Sequence, residues 1–130
     1  MRRKIIQEVL EKQNDSFYIK HVLGDLSGVF FENMTDINNL ESIIKIGINR
    51  TQAHCISIQF ERVSQNGTVL IAILKEGRVT LHSYPEQNLL CLDVLSYKKS
   101  CNPKLIINTI VAILQPDQVR IREVNRGDYN

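Results

Sequence analysis

Cysteine is scarce and poorly placed for covalent or metal work. Cys55, Cys91 and Cys101 form neither a Cys-x-x-Cys pair nor an even framework. A disulfide scaffold is thereby excluded, and reduced thiols in a cytoplasmic protein are the expectation. His21, His54 and His82 lack metal-ligand spacing, so no metal is expected. No apolar run is long enough for a signal peptide or a membrane span. Charge of the two signs nearly cancels, at +2 net, and much of the excess sits in Arg2, Arg3 and Lys4. No basic stripe interleaved with aromatics follows that triplet, which argues against a nucleic-acid partner.

What is present is apolar side chain. At 43% of 130 residues it suffices for one packed core, in a chain too short for two. A single domain over 1–130 is expected, with residues 1–17 as an N-terminal helical extension marked by the stripe Ile5, Ile6, Val9 and Leu10. A strand is expected over His21–Phe31, weakened by Gly24 and Gly28. Thr35 or Asp36 then caps a helix whose stripe is Ile37, Leu40, Ile43, Ile44 and Ile48. His54–Arg62 alternates as a strand, Asn66-Gly67 signals a hairpin turn, and Thr68–Leu74 reads as a central strand. Glu76-Gly77 makes a second tight turn. Val79, Leu81 and Ser83 alternate, Pro85 ends that strand, and Leu89–Leu95 forms another. Asn102-Pro103 starts a helix in the order cap then proline, with Leu105, Ile106, Ile110, Val111 and Leu114 as its buried face. Val119–Val124 is the last strand, with Arg120, Arg122 and Arg126 alternating toward solvent.

This order predicts an α+β sandwich, a mainly antiparallel sheet with two principal helices on one face. Thr68–Leu74 is apolar on both sides, so the other sheet face also needs cover. A second copy is the expected cover, in a homotrimer or homodimer.

Three segments resemble the small prokaryotic S-adenosylmethionine decarboxylases. They are His21–Gly28, then Lys75-Glu76-Gly77-Arg78-Val79-Thr80-Leu81-His82-Ser83-Tyr84-Pro85-Glu86, and then Leu92-Asp93-Val94 with Asn102-Pro103 and Glu123–Gly127, which ends in Arg126-Gly127. Order and spacing hold over residues 18–128. The resemblance implies a decarboxylase-like sandwich and a site that takes S-adenosylmethionine. In that family a serine after the glutamate becomes a pyruvoyl group, the electron sink for loss of carbon dioxide. Here that position is Gly77, which has no side-chain oxygen. By the same resemblance the family's catalytic cysteine falls at Tyr97, its processing serine at or beside Val69 with Thr68 as the nearest hydroxyl, and the histidine after the pyruvoyl serine at Arg78. No pyruvoyl cofactor is therefore expected, nor any other.

The residues left are Glu76 and Tyr97 as catalytic candidates, and His82, Tyr84, Glu86 and Asp93 as substrate-binding candidates. As a turn residue, Glu76 is expected to hold the substrate's α-ammonium and to matter little for folding. Asp93, a carboxylate in an apolar strand, requires a partner, with Arg or Lys the simple choice. The resemblance suggests a lyase that cleaves S-adenosylmethionine or its AMP conjugate to a methylthioadenosine product and homoserine lactone. Such enzymes include CRISPR-associated ones, which would make the role antiviral defence, and the arginines of the last strand would suit the conjugate's phosphate. The alternatives are an inactive decarboxylase paralogue that binds ligand or regulates polyamine synthesis, and an interaction module that has lost the ligand.

Overall fold

The computed structural model describes residues 19–127, so the expected helical stripe of residues 3–12 lies outside the described residues. Six strands form one antiparallel sheet: β1 (Ile19–Ser27), β2 (Cys55–Arg62), β3 (Thr68–Leu74), β4 (Gly77–Tyr84), β5 (Leu89–Ser96) and β6 (Gln118–Arg126). Their spatial order is β2-β3-β4-β5-β1-β6. The four middle strands are a meander, and the first strand of the chain is inserted between its end and the last strand. Helices α1 (Phe31–Thr35), α2 (Ile37–Asn49) and α3 (Pro103–Leu114) complete the α+β sandwich.

The two long helices form where their stripes and caps place them. The Asp36 carboxylate accepts the backbone N–H groups of Asn38 at 2.9 Å and Asn39 at 3.4 Å, which satisfies two donors at the start of α2. Asn102 does the same for Lys104 and Leu105 at the start of α3, with Pro103 in the first turn. Leu40, Ile43, Ile44 and Ile48 of α2 are buried, as are Ile106, Ile107, Ile110 and Leu114 of α3. Ile107 was not in the expected face of α3; Leu105 and Val111, which were, are only half-buried.

Two boundaries differ from expectation. The first strand stops at Ser27 instead of continuing to Phe31. Gly28 turns the chain at φ 75° while its N–H and that of Val29 bond to the Asn88 carbonyl, and α1 follows. Asn66-Gly67 closes a hairpin, but through the longer loop of residues 63–67. The Val63 N–H reaches the Gly67 carbonyl at 3.0 Å, and the Ser64 hydroxyl accepts the Gly67 N–H at 2.9 Å.

Alternation splits the sheet into two unlike faces. Val22, Leu26, Leu70, Ala72, Val79, Leu81, Leu90, Leu92 and Val94 are buried with the helix stripes in one core. Burial of each of these Val and Leu side chains stabilises the fold by roughly 1.5–3 kcal/mol. The opposite face carries the intervening residues, among them His21, Leu23, Asp25, Thr80, His82, Cys91 and Asp93, all half-buried. That open face holds the polar groups of interest.

Candidate functional site

Residues directly opposed in an antiparallel ladder share a face, so the register assembles the site. One row across the open face reads Val69, His82, Cys91, Asp25, Arg120. The next reads Ile71, Thr80, Asp93, Leu23, Arg122. A third reads Tyr84, Leu89, Ser27, Gln118. Three of the expected substrate-binding residues, His82, Tyr84 and Asp93, therefore stand on one surface. The His82 and Tyr84 rings are stacked, with centroids 4.2 Å apart and planes 13° from parallel. The Tyr84 hydroxyl lies 3.3 Å from His82 Nδ1, so the two rings form one aromatic platform.

Asp93 has its partner, but it is His21 rather than Arg or Lys. His21 Nε2 lies 3.2 Å from Asp93 Oδ1. His21 was absent from the expected site. The signal that could have found it was Asp93 itself, because a carboxylate in an apolar strand obliges some donor to face it. Cys91 and Asp25 were missed as well. Burial, followed by the charge of the adjacent Asp25 carboxylate, pushes the Cys91 thiol up to about 11. A thiol protonated at neutral pH is a poor nucleophile, so Cys91 does not stand in for the family cysteine that the resemblance puts at Tyr97.

Glu76 and Tyr97 form a separate group around the turn between β3 and β4. The Glu76 side chain is buried, with 4% exposed. Its Oε1 accepts the His54 backbone N–H at 2.9 Å, and its Oε2 accepts His54 Nδ1 at 2.8 Å. The expectation that Glu76 is a dispensable turn residue is corrected on this point: its carboxylate ties the chain before β2 to the turn before β4. Tyr97 belongs to the same clasp. Its N–H bonds the Glu76 carbonyl at 3.1 Å, and its hydroxyl donates to the Lys75 carbonyl at 3.3 Å. Gly77 and Tyr84 lie at opposite ends of β4, about 23 Å apart at roughly 3.3 Å per residue. Glu86, in the 3₁₀ turn Pro85–Gln87 after β4, accepts a bond from the Asn66 side chain at 3.1 Å and joins two exposed loops.

The fit of a pyruvoyl group is tested at Gly77. A Cβ built there would overlap the Leu95 carbonyl oxygen, and would lie 2.8 Å from the Leu95 carbonyl carbon and 3.0 Å from Ser96 Cα. The backbone of β5 fills the space that a serine side chain needs. Thr68 does not supply a processing hydroxyl either: it is fully buried with the core, beside Ser83, whose hydroxyl accepts its N–H at 3.0 Å. The residues present do not fit the group.

The architecture defines an α+β protein with its helices on one side of the sheet and a polar, aromatic-bearing face on the other. A family profile described as S-adenosylmethionine decarboxylase matches residues 20–127, and the chain belongs to that family. It is similar to S-adenosylmethionine decarboxylase proenzyme 2 of Bacillus anthracis, with 30% identity over 112 residues, 86% of this chain and 91% of that protein. It is also similar to the S-adenosylmethionine decarboxylase proenzyme of Methanococcus maripaludis, at 23% identity over 83% of this chain and 88% of that one. Among solved structures, the adenosylmethionine decarboxylase of Aquifex aeolicus shares the fold, with a TM-score of 0.79 and 19% identity over 86% of this chain and 92% of that one.

Proposed function

We propose that this family member is a lyase that cleaves S-adenosylmethionine, or its AMP conjugate, without a pyruvoyl group. The observation that carries the reading is the closed backbone at Gly77, which leaves no room for the precursor side chain, beside an open face that keeps His82, Tyr84 and Asp93 together. The substrate's own carboxylate oxygen attacks its γ-carbon, and the γ-carbon–sulfur bond breaks with its electron pair passing to sulfur. The products are methylthioadenosine, or its adenylated form, and homoserine lactone. No proton, oxidant or second reactant is needed. Nucleophile and leaving group arrive in one molecule, so holding the folded conformer supplies most of the advantage. Charge is neutralised along the way, and a dry site therefore favours the transition state.

In this reading the His82–Tyr84 platform stacks on adenine or faces the sulfonium, and Asp93, held by His21, adds negative charge near the same cation. Glu76 and Tyr97 hold the closed turn. Incubation of the purified protein with S-adenosylmethionine and with its AMP conjugate should yield the methylthioadenosine product and lactone by mass spectrometry, with no carbon dioxide. Tight binding without product over hours would replace this reading with the ligand-binding, regulatory one.

The open face is also proposed as the surface on which copies associate. It carries the half-buried Leu23, Val69, Ile71 and Leu95 and the exposed Ile73 beside its polar groups, and a second copy would exclude water from the reacting ligand. Light scattering should show a trimer or dimer at micromolar concentration; a stable monomer would refute the association. The three thiols are free, which suits the reducing cytoplasm. No described helix is long and apolar enough to cross a membrane.

A further inference from the structure

A second polar group on the open face stands apart from the His21–Asp93 pair. Where β5, β1 and β6 run side by side, a concavity of about 500 Å³ is lined by Asp25, Ser27, Leu89, Gln118, Val119 and Arg120. Asp25 and Arg120 are directly opposed across the β1–β6 ladder, and so are Ser27 and Gln118. Opposite charges so placed ordinarily close on each other. These do not: the ion pairs among the described residues include neither side chain. The Asp25 carboxylate lies beside the Cys91 thiol instead. Arg120 is exposed, and its guanidinium makes no hydrogen bond or ion pair among the described residues.

An unclosed acid–base pair beside a cavity selects its ligand by charge. A plain anion is repelled by Asp25 and a plain cation by Arg120, whereas a group carrying both charges one carbon apart satisfies both. Cross-strand Cβ atoms stand about 5 Å apart, which leaves room for such a group between the two side-chain ends. Ser27 and Gln118 offer neutral donors and acceptors for the remaining bonds, and Leu89, opposite Ser27 on the same face, gives an apolar wall for a short methylene chain.

We propose that this concavity takes an α-amino-acid zwitterion, its ammonium on Asp25 and its carboxylate on Arg120. The identity of the ligand rests on the lyase reading above, in which it is the methionine end of the substrate. The role expected of Glu76 thereby passes to Asp25, since the Glu76 carboxylate is committed to His54. The row Tyr84, Leu89, Ser27, Gln118 then sets the ligand's direction, adenine on the aromatic platform and amino acid toward β6. Three strand spacings separate the two ends, about 14 Å, which suits an extended molecule with a base at one end and an amino acid at the other. Arg120 holds one carboxylate oxygen and leaves the other to attack the γ-carbon.

The test is calorimetric binding of three probes, S-adenosylmethionine, L-methionine and methylthioadenosine, to the wild type, Arg120→Gln and Asp25→Asn. Each variant should bind S-adenosylmethionine and L-methionine at least tenfold more weakly, and methylthioadenosine, which has no amino-acid end, as the wild type does. Arg120→Lys should recover part of the loss. Arg120 is exposed, so its variants fold, and circular dichroism verifies this. Unchanged affinity for S-adenosylmethionine in both variants overturns the site, as does equal loss of all three probes or a wild type that binds neither amino-acid probe. The two readings fail separately. Arg120-dependent binding of L-methionine without product from S-adenosylmethionine keeps the zwitterion site and removes the lyase. Product formation with unaltered binding in both variants does the reverse.

Discussion

Gly77→Ser should stay uncleaved and fold less stably than the wild type. On the family resemblance alone the substitution looks like a repair, because it returns a hydroxyl to the position where the decarboxylases carry their precursor. The structure argues the opposite. The added Cβ meets the Leu95 carbonyl, and Leu95 and Ser96 are held in the β4–β5 ladder opposite Arg78 and Gly77. The obstacle is backbone, which cannot turn aside as a side-chain tip can. Overpacking costs about 1–3 kcal/mol in a well-packed site, and a clash with a paired strand belongs at the upper end, near 3 kcal/mol. Adding Arg78→His and Tyr97→Cys leaves the overlap in place. Intact-mass spectrometry should show one unbroken chain for the wild type and each variant, and urea denaturation should show the lowered midpoint. Two fragments divided between residues 76 and 77 in Gly77→Ser would mean that the strand gives way, and that the chain kept the decarboxylase route within one substitution.

The helices and most strands were legible because their information is local. Asp36 and Asn102 sit one residue before the helices that carry their stripes, and each side chain caps the helix its position implies. The strand boundary at Ser27 was less legible, since Gly28 is compatible with a bulge and with a turn and only the bond to Asn88 decides between them. The site was half legible for a similar reason. His82 and Tyr84 stand two apart on one strand, whose period of two puts them on one face, and the neighbouring β5 brings Asp93 onto that face opposite Thr80. His21 is 72 residues from Asp93 in the chain, and its pairing follows from β1 being inserted beside β5, a register that no local pattern states. Asp25 opposite Arg120 is another product of that insertion. Glu76 was expected to matter little for folding because the segment that covers it, around His54, comes from before β2.

For that reason Glu76→Gln is expected to report on stability first. The wild-type carboxylate feels two opposing influences. Burial, the larger single one, pushes its pKa up, and the bonds from the His54 side chain and backbone N–H together outweigh it, so the group ends below its ordinary value of 4.5. A carboxylate accepts only, so His54 Nδ1 must carry the shared proton. A folded value below the unfolded one stabilises the fold fully above the unfolded carboxylate range, and that contribution is lost as pH falls through the folded value. The glutamine amide keeps its one oxygen for the His54 backbone N–H, loses the charge, and turns its NH2, a donor, toward the ring. Bonds to a charged acceptor contribute about 1.5–3 kcal/mol; with the His54 ring largely in solvent, a loss of about 1.5 kcal/mol at pH 7 is expected. At an acid pH below the ordinary carboxylate range, compared with pH 7, the wild type should weaken toward the variant, so the gap in urea midpoint narrows while the variant's profile stays flatter. Turnover at saturating substrate should fall by no more than the folded fraction does. A hundredfold loss of turnover with unchanged midpoints at both pH values would reverse the assignment: it would free Glu76 from its structural tie and return it to the reacting groups.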